Sequence, residues 1–428
     1  MSIDTDFSEF YHPLKSTPDL DPLMKRIGDA NYVLLGEASH GTHEYYTWRT
    51  EITKRLIQEK GFTLIAVEGD WPDCYKINQW IKEDTNEKAI QDVLMEFTRW
   101  PTWMWANWEI AALATWLKEF NAALAYDKKI GFYGLDVYSL WESMDQIVDY
   151  LEKEDPDTAV LAKEAVRCFE PFREDDSYTS VFSMAQPSCK EKVLALLQRV
   201  RLHAHNYDHQ KEAGLNAELN SLVMANAEKY YESMVSFGEQ SWNVRDNHMV
   251  ETLNTLMDYH DPNAKVIIWE HNTHIGDARA TDMASQGLVN VGQLLREQQN
   301  RENVVLVGFS SYSGSVIAGR GWGATMQDLE VPPAISGSVE AMLHQHSATN
   351  KLIVFNEDPQ LEEAFSEKLP HRAIGVVYNP NYERGNYVPS RLSLRYDAFI
   401  FIDETRALHP LKLKPDGNKV PDTFPFGF

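Results

Sequence analysis

The chain has 428 residues, 43% of them hydrophobic, and a formal net charge of −24. That length suits one large α/β domain, or a core domain carrying a helical insertion. The acidic balance excludes a nucleic-acid partner and docking to an anionic membrane, since both need a basic patch; its plain meaning is solubility.

The N-terminal run MSIDTDFSEF lacks the basic and apolar regions of a signal peptide. No apolar run approaches the ~20 residues of a membrane span. Three widely spaced cysteines, Cys74, Cys168 and Cys189, read as ordinary thiols of a reducing compartment, so a cytoplasmic protein is expected. The first buried strand is Tyr32–Gly36, a short apolar run closed by glycine. A helix follows over about Glu44–Lys60, stopped by Gly61. Thr63–Val67 reads as the second strand, Trp71–Tyr126 as a Trp-rich helical region, and Ile130–Leu135 as the third strand. This alternation predicts an α/β fold: a central, mainly parallel sheet flanked by helices.

From Ser139 to His260 no strand pattern occurs, only helical periodicity with a polar, Pro-bearing break near Asp175–Pro187. A large inserted helical subdomain is predicted there. Strand patterns return at Lys265–Trp269, Val304–Gly308, Leu352–Phe355, Ala373–Val377 and Ala398–Ile402, while the Gly/Ser-rich Ser310–Gly323 reads as a loop. The expected division is residues 1–138 as the first part of the core, 139–262 as the helical insertion, and 263–428 as the second part.

Three strands run into polar residues of catalytic type: Gly36-Glu37-Ala38-Ser39-His40-Gly41-Thr42-His43-Glu44, Glu68-Gly69-Asp70, and Glu270-His271-Asn272-Thr273-His274. Ligands of open α/β sheets bind beyond the carboxyl ends of strands, so parallel strands would bring these loops to one edge. His40, flanked by Ala38, Ser39 and Gly41, is the natural general base there. Glu37 or Glu68 would fix its tautomer. Tyr45, Arg49, Ile52 and Leu56 share one helix face, and a guanidinium on an apolar stripe needs a partner. Two readings of Arg49 stand together: an ion pair to Glu37 or Glu68, and contact with a substrate oxyanion. The spacings His40/His43 and His271/His274 invite a metal reading. The preferred one has His40 and His271 facing a cleft while His43 and His274 orient loops. Four tryptophans in nine residues, Trp100, Trp103, Trp105 and Trp108, are either a packed corner or an apolar wall for a bulky substrate. The sequence has no GxSxG elbow, no GxxxxGK[ST] loop and no GxGxxG loop after a strand. That disfavours a serine esterase, a P-loop enzyme and a Rossmann dehydrogenase, and leaves water activated by an imidazole and a carboxylate.

The run Gly36–Thr42, Val67-Glu68-Gly69, Trp269–His274 and the closing Tyr396–Ile402 strand together resemble the erythromycin esterase family, in order over nearly the whole chain. The resemblance implies hydrolysis of a macrolactone-type ester by direct attack of water, without a covalent serine. It places the family's general base at His40, its neighbouring carboxylate at Glu37, its helix arginine at Arg49, its second-strand carboxylate at Glu68, and its later histidine pair at His271 and His274. It implies no cofactor and no catalytic metal, although fold relatives include metal-dependent proteases. The substrate is left open. Bacterial members include macrolide-resistance enzymes, and others are labelled as related to succinoglycan biosynthesis. The expected catalytic set is therefore His40, Glu37, Arg49, Glu68 and His271, acting on a small-molecule ester. His43, His274, Trp71, Trp103 and Trp105 form the expected substrate-contacting set. The rivals are a metal-dependent hydrolase using His40, His43, His271 or His274 with Glu68, and a binding module that turns nothing over.

Overall fold

The computed structural model describes residues 11–83, 88–169, 187–203, 211–235, 240–261, 263–355 and 359–412. The chain divides into two compact units, one of Met1–Ile65, Trp80–Gly131 and Lys265–Phe428, the other of Ala66–Gln79 and Phe132–Ala264.

In chain order the strands are β1 (Tyr11–Pro13), β2 (Tyr32–Leu35), β3 (Leu64–Asp70), β4 (Gly131–Asp136), β5 (Val266–Trp269), β6 (Val304–Ala318), β7 (Gln327–Val331), β8 (Lys351–Val354), β9 (Lys368–Arg372), β10 (Tyr387–Arg391) and β11 (Ala398–Thr405). In the first unit they run β1-β8-β11-β6-β2-β5 across the sheet, with β7 also on β6. The centre, β11-β6-β2-β5, is parallel throughout, and the pairings of β1 with β8, β8 with β11 and β7 with β6 are antiparallel. Every residue of β2 and of β5 is buried. Such continuous apolar runs are expected of parallel strands covered on both faces.

Helix His43–Lys60 covers this sheet with the stripe Tyr45, Tyr46, Arg49, Ile52, Thr53, Leu56 and Ile57. Its end matches the expected stop: Gly61 takes φ +73° and its N–H bonds Leu56 O. The region 71–126 resolves into three helices, Trp71–Lys82, Ile90–Met95 and Trp108–Asn121, with a 3₁₀ turn at Thr102–Met104.

Two expectations need correction. Ser310–Gly323 is not a loop to Gly323, because β6 continues through Ala318 and pairs with β11 and β7. Backbone pairing needs no apolar side chain, and a glycine suits Gly314, where a Cβ would meet Thr405 O at 2.0 Å. Ala373–Val377 forms no strand. Its backbone bonds go instead to two loops: Ile374 N–H to Ala38 O at 2.7 Å, and Gly319 N–H to Val376 O at 3.0 Å.

The second unit contains most of β3, then β4, which neighbours it. Five helices follow among the described residues: Leu140–Glu154, Pro156–Phe169, Pro187–His203, Ala213–Val235 and Gln240–His260. This is the helical insertion; the break expected near Asp175–Pro187 lies almost wholly outside the described residues. An ionic group is buried in this unit. Arg245 donates to both Asp136 oxygens, at 2.7 and 2.9 Å, and to Glu68 at 2.7 Å. His248 sits beside it, fully buried, its Nδ1 3.1 Å from Asn226 and its Nε2 3.3 Å from Asp136 O.

Burial depresses the His248 pKa to about 4 against the opposing pull of Asp136. Between its unfolded value near 6.5 and this folded value, the unfolded chain binds the extra proton. His248 therefore stabilises the fold fully above pH ~6.5, and that contribution, on the order of 3 kcal/mol, drains away as pH falls toward ~4. Thermal melts across this window should show a shallower acid loss in His248→Gln than in the native chain. Parallel slopes in the two proteins would disprove the assignment.

Candidate functional site

Parallel pairing continues beyond the ends of β2 and β5. Gly36 N–H bonds Val307 O at 2.8 Å, Glu270 N–H reaches Leu35 O at 3.4 Å, and Asn272 N–H bonds Glu37 O at 2.9 Å. The two polar loops are thereby zipped side by side, which sets the His40 and His271 rings 5.0 Å apart at 40°. Gly36 and Gly41 serve close approach. A Cβ on Gly36 would meet the Asn272 amide oxygen at 2.1 Å, and one on Gly41 would meet Ile317 O at 1.9 Å. Asn272 is itself a brace, its amide donating to Phe309 O and accepting from Phe309 N–H. Asn290 holds the same loop by donating to Thr273 O at 2.7 Å.

Glu37 is the electrostatic centre. One carboxylate oxygen lies 2.9 Å from His40 Nδ1, and the other accepts from Arg49 Nη2 at 2.6 Å. All three side chains are buried. The Arg49 guanidinium carbon stands 4.4 Å from the Tyr46 ring centroid and 4.6 Å from that of Trp269, while its Nε and Nη1 make no hydrogen bond. The aromatic faces stabilise the part of the cation that Glu37 does not reach. Tyr46 donates to His40 O and Met104 O, and burial pushes its phenol well above the ordinary range, so it stays a donor.

These contacts assign the tautomers. A carboxylate can only accept, so His40 carries its proton on Nδ1 and presents a lone pair at Nε2. His271 is the opposite case. As the N-cap of helix Asn272–Ile275, its Nδ1 accepts from Thr273 N–H, and the Thr273 hydroxyl stands 2.8 Å away. Its proton is on Nε2. In their neutral forms the two rings thus carry opposite groups at Nε2, a lone pair on His40 and an N–H on His271.

The remaining expected residues are distributed as follows. Glu68 and Trp71 belong to the second unit, where Glu68 accepts from Arg245 and Trp71 stacks on Tyr75 and Tyr133. His274 is buried on helix Asn272–Ile275. Trp103 is buried edge-on to Trp100, and Trp105 lies beside Tyr46. His43 is not with His274. Its Nδ1 lies 2.5 Å from Glu109 Oε1, which also contacts His409 Nδ1 at 2.6 Å. His43, Glu109 and His409 form a group able to hold a metal ion. Glu109 and His409 had no signal in the sequence, because neither stands in a motif or at a strand end. Asn272 and Asn290 carry no catalytic-type signal in the sequence either, although Asn272 lies within Glu270–His274.

Comparison with known proteins agrees with this fold. The erythromycin esterase family model matches residues 57–405. Erythromycin esterase type II of Escherichia coli is 24% identical over 374 residues, covering 82% of this chain and 86% of that protein. A crystal structure of a succinoglycan biosynthesis protein superposes with a TM-score of 0.77 at 24% identity, covering 94% of this chain and 97% of its own. A mutant erythromycin esterase in its open conformation superposes with a TM-score of 0.68 at 14% identity, covering 92% and 97%. With the family model spanning most of its length, the chain belongs to the erythromycin esterase family.

Proposed function

We propose that this protein hydrolyses a carboxylic ester by direct attack of water, with His40 as general base. The observation that supports the reading best is the pair of imidazoles 5.0 Å apart whose hydrogen bonds assign them opposite tautomers. His40 Nε2 takes a proton from water as the water oxygen bonds to the ester carbonyl carbon. Glu37 stabilises the imidazolium that results. His271 Nε2–H donates to the oxyanion. When the carbonyl re-forms, the C–O bond to the alcohol breaks, and the proton held on His40 passes to the leaving alkoxide. Arg49 is a positioning residue in this scheme, since its guanidinium holds Glu37 from between two aromatic rings. Membership of the family and the name of the Escherichia coli relative make a macrolactone the first ester to test, followed by simple aryl esters and acylated sugars.

The test is turnover of that panel, followed by mass spectrometry in ¹⁸O-labelled water. One labelled oxygen should appear in the released acid. His40→Ala should lower kcat by about 10²–10⁴, the usual worth of general-base assistance. Undiminished turnover in that variant would remove His40 from the chemistry. Arg49→Ala leaves the Glu37 charge buried without its cation and should cost about 3–5 kcal/mol of stability by denaturant unfolding. A loss within ~0.5 kcal/mol, the range of ordinary surface substitutions, would show that Glu37 is not held by Arg49.

A further inference from the structure

Three segments remote in sequence bring two imidazoles and a carboxylate to one place. His43 is the first residue of its helix, Glu109 lies in the first turn of Trp108–Asn121, and His409 follows β11. One ligand atom of each lies within 4.8 Å of the other two, and the two rings meet edge to face with centroids 5.1 Å apart. The Glu109 side chain is 5% exposed. Its Oε1 receives both histidines, but its Oε2 is buried without a hydrogen-bond partner. A hydrogen-bonded clip alone explains Oε1 and leaves Oε2 desolvated.

The backbone around the cluster is tied down. His43 N–H bonds Arg406 O, Leu408 N–H bonds Gly41 O, Trp108 N–H bonds His409 O, and Leu411 N–H bonds Ala106 O, at 2.9–3.0 Å. The anchors are therefore fixed, whereas the His409 side chain is 57% exposed and opens the cluster to solvent.

We propose that His43, Glu109 and His409 bind a divalent first-row transition ion of the Zn²⁺ class. Two imidazoles and a carboxylate are the donors such an ion takes, at roughly 2.0–2.2 Å, and a fourth position is left for water. Bonds of that length set neighbouring donors roughly 3.3 Å apart around a tetrahedral ion. The present separations of 2.5 and 2.6 Å must therefore widen by a fraction of an ångström, which the exposed His409 side chain allows. Each imidazole binds through Nδ1 as its neutral Nε2–H tautomer. The ion would pin the segment after β11 to the loop that carries His40. It shares no residue with the Glu37–His40–His271 set, so its failure and the failure of the ester reading are separate outcomes.

The test uses the full chain, stripped with a chelator and titrated with Zn²⁺ by calorimetry and with Co²⁺ by visible absorption. Native protein should take up one Zn²⁺ at this cluster and give Co²⁺ the intense bands of a four-coordinate ion. His409→Ala and Glu109→Gln should each weaken binding by about a hundredfold, and saturating Zn²⁺ should raise the melting temperature of the native chain but not of His409→Ala. His409→Ala removes one of the two hydrogen bonds to the buried Glu109, so its metal-free form should melt somewhat below the metal-free native protein but still cooperatively, which keeps loss of fold apart from loss of ligand. Absence of binding, or equal binding in a His43→Ala/His409→Ala double variant, would overturn the assignment.

Discussion

A buried carboxylate cannot stand alone, and Glu37 shows how much structure one such group demands. Its two oxygens are satisfied by different partners, an arginine from the next helix and an imidazole from its own loop. Water hydrates an ion with little regard for geometry, whereas side chains must be held at hydrogen-bond distance. Arg49 in turn needs its own burial balanced, and the faces of Tyr46 and Trp269 do this. Helix, loop and strand are thus committed to one another by a single charge.

The same constraint reaches the nitrogen that the proposed reaction would use. By occupying Nδ1 of His40, Glu37 leaves Nε2 as the basic position. The Thr273 backbone does the reverse for His271. Neither assignment depends on a motif. Each follows from which atom the neighbouring backbone or carboxylate offers. The loops can be this close only because Gly36 and Gly41 have no Cβ, so that Asn272 and Ile317 may approach. Glycine acts here by omission of volume; neither residue is at positive φ.

Ionic groups are handled differently in the second unit. Arg245 answers both Asp136 and Glu68, a polar cluster within a largely helical unit, and His248 beside it is kept neutral by burial. Glu68 is therefore held by a cation that neither its strand nor the adjoining motif identifies. Its partner lies 177 residues further along the chain.

Much of this was legible in the sequence. Continuous apolar runs gave away the buried strands β2, β5 and β11, because a strand covered on both faces has no polar positions to interrupt it. The i, i+3, i+4 stripe of Tyr45, Arg49, Ile52 and Leu56 and the glycine stop at Gly61 are local signals, and they located the helix carrying Arg49. His40 and His271 were recognisable as polar residues placed just after such runs. What only the tertiary structure decided was partnership. The pairing of His43 with Glu109 and His409 and the extension of β6 through a serine- and glycine-rich stretch depend on chain segments far apart in sequence; the choice of Glu37 for Arg49, only 12 residues away, depends on how the helix docks against its own loop. Periodicity reports which face of an element avoids water. It carries no information about which distant group will meet that face, because that is set by how the elements pack.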